Sequence, residues 1–304
     1  TLCFYSIKSI NLNTMLKKIL KWTGILLVSV LVMAAIFYAV VYFSTESRIN
    51  KVYKVNVQTL SIPVDPDSYQ KGKHIAQNRG CMGCHGANLG GHEVFMPEGS
   101  PVGTLVARNI TGGKGGIQYT DADWIRLLRH GLNKEGKSAW FMPSQEICHL
   151  SNEEMAALIC FVKQQPPVDN TVPDKKIKPL GRLLFFLDKF PLLPAEMIDH
   201  DASYKDAVEA AVTPEYGAYL ATVCQGCHSP NYKGAPPRAP QQPAIPDISA
   251  TGEIGQWTEA DFVNVFHTGK KPDGTQLSEA MPFKEFTYTD DELKAIYAFL
   301  RELK

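Results

Sequence analysis

Cys81-Met82-Gly83-Cys84-His85 and Cys224-Gln225-Gly226-Cys227-His228 are two copies of one five-residue pattern. Two thiols three positions apart can each form a thioether with a vinyl group of the same haem. The histidine after the second cysteine is then delivered to the iron. Without that histidine, a cysteine pair reads as half a zinc site or as a redox dithiol. A zinc site wants a second cysteine pair close by, and neither half of the chain supplies one. The pattern therefore predicts two covalently bound haem c groups, attached through Cys81, Cys84, Cys224 and Cys227. His85 and His228 are the expected axial ligands.

Each copy is followed by a Met-Pro pair. Met142-Pro143 lies 57 positions after His85, and Met281-Pro282 lies 53 after His228. Thioether sulfur is soft and uncharged, so it favours ferrous iron and raises the potential. Met142 and Met281 are the expected second ligands. Met96 comes early in its loop, and Met155 falls on the apolar face of a predicted helix, so both fit worse. His74, His92, His130, His149, His200 and His267 read as surface or hydrogen-bonded residues. His92 keeps some claim as a ligand because it follows the first motif closely. Trp124, Trp140 and Trp257 read either as haem-edge residues or as ordinary packing.

The two halves repeat beyond the motifs. A shift of 138 positions carries Gly115–Trp124 onto Glu253–Phe262. The same shift carries Met155, Leu158, Ile159 and Val162 onto Leu293, Ile296, Tyr297 and Leu300, both with amphipathic-helix spacing. Ser151 with Glu154, and Thr289 with Glu292, predict capping boxes at these final helices. Thr120 with Asp123, and Thr258 with Asp261, are weaker versions before a shorter helix. Asp65-Pro66 and Thr213-Pro214 predict the start of the helix leading into each motif. The expected order in each copy is helix, haem motif, loop, short helix, methionine loop, final helix. No run of alternating apolar and polar residues predicts a strand.

On these residues each half resembles a class I cytochrome c domain. The whole resembles membrane-anchored dihaem cytochromes c, including cytochrome subunits of bacterial periplasmic dehydrogenases and dihaem respiratory carriers. The resemblance covers about residues 66–168 and 213–304, and it implies an all-α fold of two tandem domains. The family's Asn-Leu-Thr-like step appears as Asn109-Ile110-Thr111, but as Asp247-Ile248-Ser249 in the second copy. The spacing also differs: Gly72 precedes Cys81 by nine positions, whereas Gly217 precedes Cys224 by seven.

Trp22–Phe43 holds no charged residue and is long enough to cross a bilayer. Its length and its aromatic far end favour a retained anchor over a cleaved signal peptide. Lys8, Lys17, Lys18 and Lys21 precede it, so the positive-inside rule leaves the N-terminus in the cytoplasm. That predicts a single-pass protein of the bacterial inner membrane with both haem domains in the periplasm. Met15 reads as a start, and residues 1–14 carry no structural signal. The expected layout is a cytoplasmic segment 1–21, anchor 22–43, tether 44–65, domain 1 at 66–168, linker 169–212 and domain 2 at 213–304. The apolar run Leu183–Leu187, with Phe190, Leu192 and Leu193, is too short to span. It reads first as packing between the two haem domains, and second as contact with a membrane surface or a partner subunit.

The 304 residues include 31 basic and 31 acidic ones, which argues against a nucleic-acid partner. Cys148 and Cys160 are either a disulfide or two separate buried thiols. The resemblance implies single-electron transfer between a respiratory or dehydrogenase donor and an acceptor, through redox partner proteins. Catalytic residues are not expected. A dihaem redox enzyme of peroxidase or thiosulfate-oxidising type is the rival, and a methionine in both copies argues against it. No nicotinamide or flavin fingerprint is present. Substrate oxidation would therefore belong to another subunit of a dehydrogenase or oxidase complex.

Overall fold

The computed structural model describes residues 12–237 and 243–304, so Cys3, Lys8 and the rest of the first eleven residues lie outside it. Helix α1 runs Leu12–Asn50, seven residues beyond the end of the expected span. It is the one described helix long and apolar enough to cross a membrane. Its side chains are exposed from Met15 through Tyr38, as a lipid-facing helix requires, and burial begins only near its far end, at Val41.

Two helical domains follow, each in the expected order. Domain 1 holds α2 (Pro66–Asn78), α3 (Cys81–His85), α4 (Asp121–His130), α5 (Ser144–Ile147) and α6 (Asn152–Lys163). A short sheet interrupts it, with β1 (Val94–Met96) pairing antiparallel to β2 (Gly103–Val106). In the linker, β3 (Lys176–Ile177) adds to β2, and α7 spans Pro179–Phe186. Domain 2 holds α8 (Pro214–Ala221), α9 (Gln225–His228), α10 (Glu259–Thr268) and α11 (Asp290–Glu302). The strands escape a reading based on alternation because none exceeds four residues.

In each domain the first helix crosses the last with almost no gap. A Cβ at Gly72 would fall on the carbonyl oxygen of Ala157, and one at Gly217 on that of Ala295. The crossing buries Ile75 and Ala76 against Met155, Leu158 and Phe161 in domain 1. In domain 2 it buries Leu220 and Ala221 against Leu293, Ile296 and Leu300. Met155 is therefore core, as expected.

Two expectations fail here. The apolar run in the linker does not pack between the haem domains. Phe185, Leu192 and Leu193 form a cluster with Ile49 of α1 and Trp140 of domain 1. Trp140 accordingly packs against the linker, with Lys175 over its ring at 4.5 Å, and does not line the first site. The second failure concerns caps. The boxes expected to be weaker, Thr120/Asp123 and Thr258/Asp261, are complete and reciprocal. The Ser151 box is half made: Ser151 Oγ accepts from Glu154 N–H, but the Glu154 carboxylate does not return. The reason is tertiary. The Tyr219 hydroxyl takes the Ser151 N–H at 2.8 Å and itself donates to Glu154.

Candidate functional site

In domain 1 the chain breaks between α2 and α3. Arg79 ends α2, and Gly80 takes a left-handed conformation (φ 70°) that turns the chain into the motif. In domain 2, α8 instead runs through one 3-10 turn, Thr222–Cys224, straight into α9. Arg79 and Gly80 are thus the two extra residues in the first spacing.

His85 Nδ1 faces the carbonyl of Arg108 at 2.7 Å, and His228 Nδ1 faces that of Pro246 at 2.9 Å. A carbonyl only accepts, so each Nδ1 carries the hydrogen and each Nε2 keeps its lone pair. Burial pushes His85 below its ordinary value, which keeps that ring neutral.

The carbonyls are presented by matching turns. Asn109 Oδ1 accepts from Thr111 N–H at 2.9 Å, and Asp247 Oδ1 from Ser249 N–H at 2.8 Å. The Asn-to-Asp departure therefore keeps the turn. What differs is the outer side. Asn109 Nδ2 donates to the linker carbonyls of Val168 and Asn170 at 2.6 and 3.2 Å. Asp247 has no N–H to give and instead faces Lys233 at 3.6 Å.

The first motif opens into a cleft lined by Cys81, Cys84, His85, Trp124, Leu158 and Met142, among others. The sequence-predicted residues of this copy thus share one largely apolar cavity, and Trp124 belongs to it. His92 does not line the cleft; its side chain is exposed beside Glu93. Four of the other histidines have partners elsewhere, His74 with Glu292, His130 with His200, and His267 with Asp290, and His149 is exposed.

The two methionine loops turn alike. Ser144 N–H reaches the Met142 carbonyl at 2.7 Å, and Phe283 N–H that of Met281 at 2.8 Å. Glu146 and Glu285 then bond back to the carbonyls of Pro143 and Pro282, both at 3.0 Å. In the second copy His228 is buried, Met281 half-buried and Cys227 exposed.

Burial pushes the thiols of Cys81 and Cys224 up to about 12 each. A reactive dithiol needs a lowered value, so the dithiol reading finds no support. Among the described residues no three His, Cys, Asp or Glu gather as a zinc site would need. Cys148 and Cys160 are separate buried thiols, held near Gln145 O and Gln164 Nε2 at 3.4 and 2.9 Å.

The domains meet reciprocally, motif against methionine loop. Gly83 lies against the Glu285 carboxylate, and Gly226 against that of Glu146. Arg79 crosses the interface, donating to Thr222 Oγ1 at 2.5 Å and to Tyr219 O at 3.2 Å. His74 bonds Glu292 at 2.9 Å on one side, where Tyr219 bonds Glu154 on the other. Sequence reasoning missed Arg79, Tyr219, Glu146 and Glu285. The one available signal was the two-residue difference in spacing.

The cytochrome c family model matches twice, over residues 69–166 and 215–304. This chain belongs to the cytochrome c family. Family membership supports covalently bound haem c, and the cleft of the first copy fits that group: apolar walls, two neutral thiols and a histidine with its Nε2 lone pair kept. The chain is also similar to proteins named "Alcohol dehydrogenase (quinone), cytochrome c subunit". Those of Gluconacetobacter polyoxogenes and Komagataeibacter europaeus are each 26% identical over 284 residues, covering 79% of this chain and 57% of theirs. That of Gluconobacter oxydans (strain 621H) is 25% identical over 269 residues, covering 77% of this chain and 54% of its own. The chain thus spans just over half the length of these relatives.

Proposed function

We propose that this chain is a membrane-anchored dihaem electron carrier, serving as the cytochrome subunit of a periplasmic dehydrogenase complex. Cys81 and Cys84 would hold one haem c, with His85 and Met142 as its axial ligands. Cys224 and Cys227 would hold the second, with His228 and Met281. The observation that carries this reading is the single cleft shared by Cys81, Cys84, His85 and Met142. The haem iron supplies one-electron chemistry when bound, cycling between ferrous and ferric states.

The chain's own residues do three things around it. Arg108 O and Pro246 O hold the imidazoles in one tautomer and raise their basicity as ligands. Trp124, Leu128 and Leu158 exclude water from the first cleft. The methionine loops, stiffened by proline, deliver the uncharged sulfurs that favour ferrous iron. With a histidine and a methionine held to each iron, neither haem would offer a site for substrate, so the chain would pass electrons and leave substrate oxidation to a partner. The relatives' names support a dehydrogenase as that partner. The exposed α1, with Lys17, Lys18 and Lys21 before it, supports a single pass with the haem domains in the periplasm.

The test is spectroscopic and stoichiometric. Purified from detergent, the chain should carry two acid-stable haems and show the full near-red band of methionine bound to ferric iron. Replacing Cys224 and Cys227 by Ala should leave one haem with its methionine band intact. One haem in the parent chain, or a high-spin signal from either site, would reject the reading. Co-purification with a larger subunit of dehydrogenase activity tests the assignment to a complex.

A further inference from the structure

The anchor does not end in a loose tether. Arg182 of α7 donates to Thr45 Oγ1 at 2.9 Å and to Glu46 at 2.7 Å, and lies over the Tyr42 ring at 4.4 Å. Arg48 donates to Glu196 at 2.7 Å and to Asp188 at 3.4 Å, and sits over the Phe185 ring at 4.0 Å. Below this belt of charges, the Phe186 ring meets Phe37 edge to face at 6.4 Å. The groups joining the two helices are thus sorted along α1: aromatic at residue 37, mixed at 42, ionic from 45 to 48.

Phe37 lies six residues before Phe43, about 9 Å along a helix axis. A bilayer core takes about 20 residues. Placing Phe37 in water would draw Lys17, Lys18 and Lys21 into hydrocarbon, which is costly. A helix that crosses a membrane here therefore carries Phe186 below the boundary with it.

The outer face of α7 suits that depth. Leu180, Leu183, Leu184 and Leu187 recur at i, i+3, i+4 and i+7. Leu180 and Leu187 are exposed, and Leu183 and Leu184 are half-exposed. The inner face is packed: Gly181 abuts the Val102 carbonyl, and Phe185 is 1% exposed. A partly exposed leucine stripe on a short helix that packs against α1 through Phe186 is the pattern of an interfacial helix.

We infer that α7 is a second membrane element, a wedge whose leucine face lies in the acyl-chain boundary of the outer leaflet. This rests on the reading of α1 as a membrane span. The wedge and α1 together form a rigid mount for domain 1. Beyond α7, Phe141 N–H reaches the Leu192 carbonyl at 2.8 Å, and its ring meets Phe190 at 5.7 Å. The mount therefore grips the residue next to Met142.

The experiment uses the full chain, in the ferrous state and with Cys3→Ser, reconstituted in phospholipid nanodiscs. Single nitroxide labels are placed through Leu31→Cys, Leu187→Cys and Asp273→Cys. Accessibility to oxygen and to a water-soluble nickel chelate is compared at each. The ratio at 187 should match that at 31 and exceed that at 273 severalfold. A lipid-like ratio at 31 with a water-like ratio at 187 overturns the wedge and leaves the anchor standing. A water-like ratio at 31 overturns the anchor reading itself. If Leu187→Cys fails to fold, Leu180→Cys, two helical turns earlier on the same face, carries the same expectations.

Discussion

The two haem-motif regions share a pattern and differ in what surrounds them. Domain 1 is wrapped: the linker adds β3 to its sheet, caps its Asn109 turn and ties it to α1. Domain 2 has no second wrapping of that kind among the described residues, and its Cys227 stands exposed. The lesson is that a duplicated motif fixes local chemistry, while insertions around it decide where each copy is mounted. Arg79-Gly80 is the smallest such insertion, and it supplies the cation that joins the copies.

What the copies hold in common should break equally. Gly72→Ala and Gly217→Ala each drive a methyl group into a helix carbonyl. Each should destabilise its domain by about 3 kcal/mol or more, the upper end for overpacking. Calorimetry of both variants checks this, and a mild effect at either would show that the two crossings are not equivalent.

The turns should part next. Asn109→Asp keeps the acceptor for Thr111 but loses both donors to the linker. A cost of about 1–3 kcal/mol is expected, with faster proteolysis between residues 164 and 179. Asp247→Asn has no carbonyl of that kind to satisfy and should change stability less. Equal effects would remove the assigned role of Asn109.

The paired carboxylates should respond oppositely to pH. Burial opposes ionisation of Glu292, but His74 and the Thr289 N–H outweigh it and hold the carboxyl below 4.5. Its contribution is present above 4.5 and is lost as pH falls through the lowered value. Burial holds Glu154 above 4.5, outweighing the cation Arg79. Its contribution is present below 4.5 and is lost as pH rises through the raised value. Glu292→Gln should therefore lose most stability near neutrality, and Glu154→Gln should gain relative to the parent as pH rises. Denaturant titrations across pH 3–7 separate them, and parallel curves would contradict the assignment.

The smallest difference follows each motif histidine. Gly86 and Ser229 occupy the same backbone region, with φ of 80° and 70°. A side chain there costs about 1–3 kcal/mol. Ser229 offsets part of it through a 2.7 Å bond to Gly234 O. Ser229→Gly should raise the stability of domain 2 by up to about 2 kcal/mol, once that bond, itself about 1 kcal/mol, is lost.

Much of the site was legible in order along the chain. His85 and Met142 line one cleft, as their motif contexts imply. The Thr120 and Thr258 caps formed because their partners sit three residues away. The Ser151 cap was misread because its competitor, Tyr219, is 68 residues distant. Which of its two readings Trp140 would follow was undecided for the same kind of reason: its neighbours Phe185 and Leu192 arrive from the linker.

By itself the sequence determined the repeated pattern: two Cys-x-x-Cys-His motifs, two Met-Pro loops, two sets of amphipathic helices and one apolar helix. These depend on spacing within a single element or on residue type, which order along the chain records. Only the tertiary structure decided how the copies face one another and which of them α1 grips. Arg79 meeting Thr222, Tyr219 meeting Ser151 and Phe186 meeting Phe37 are contacts across more than 60 residues. Such contacts arise from where packed helices leave polar groups and apolar faces unmatched, and no local pattern encodes that.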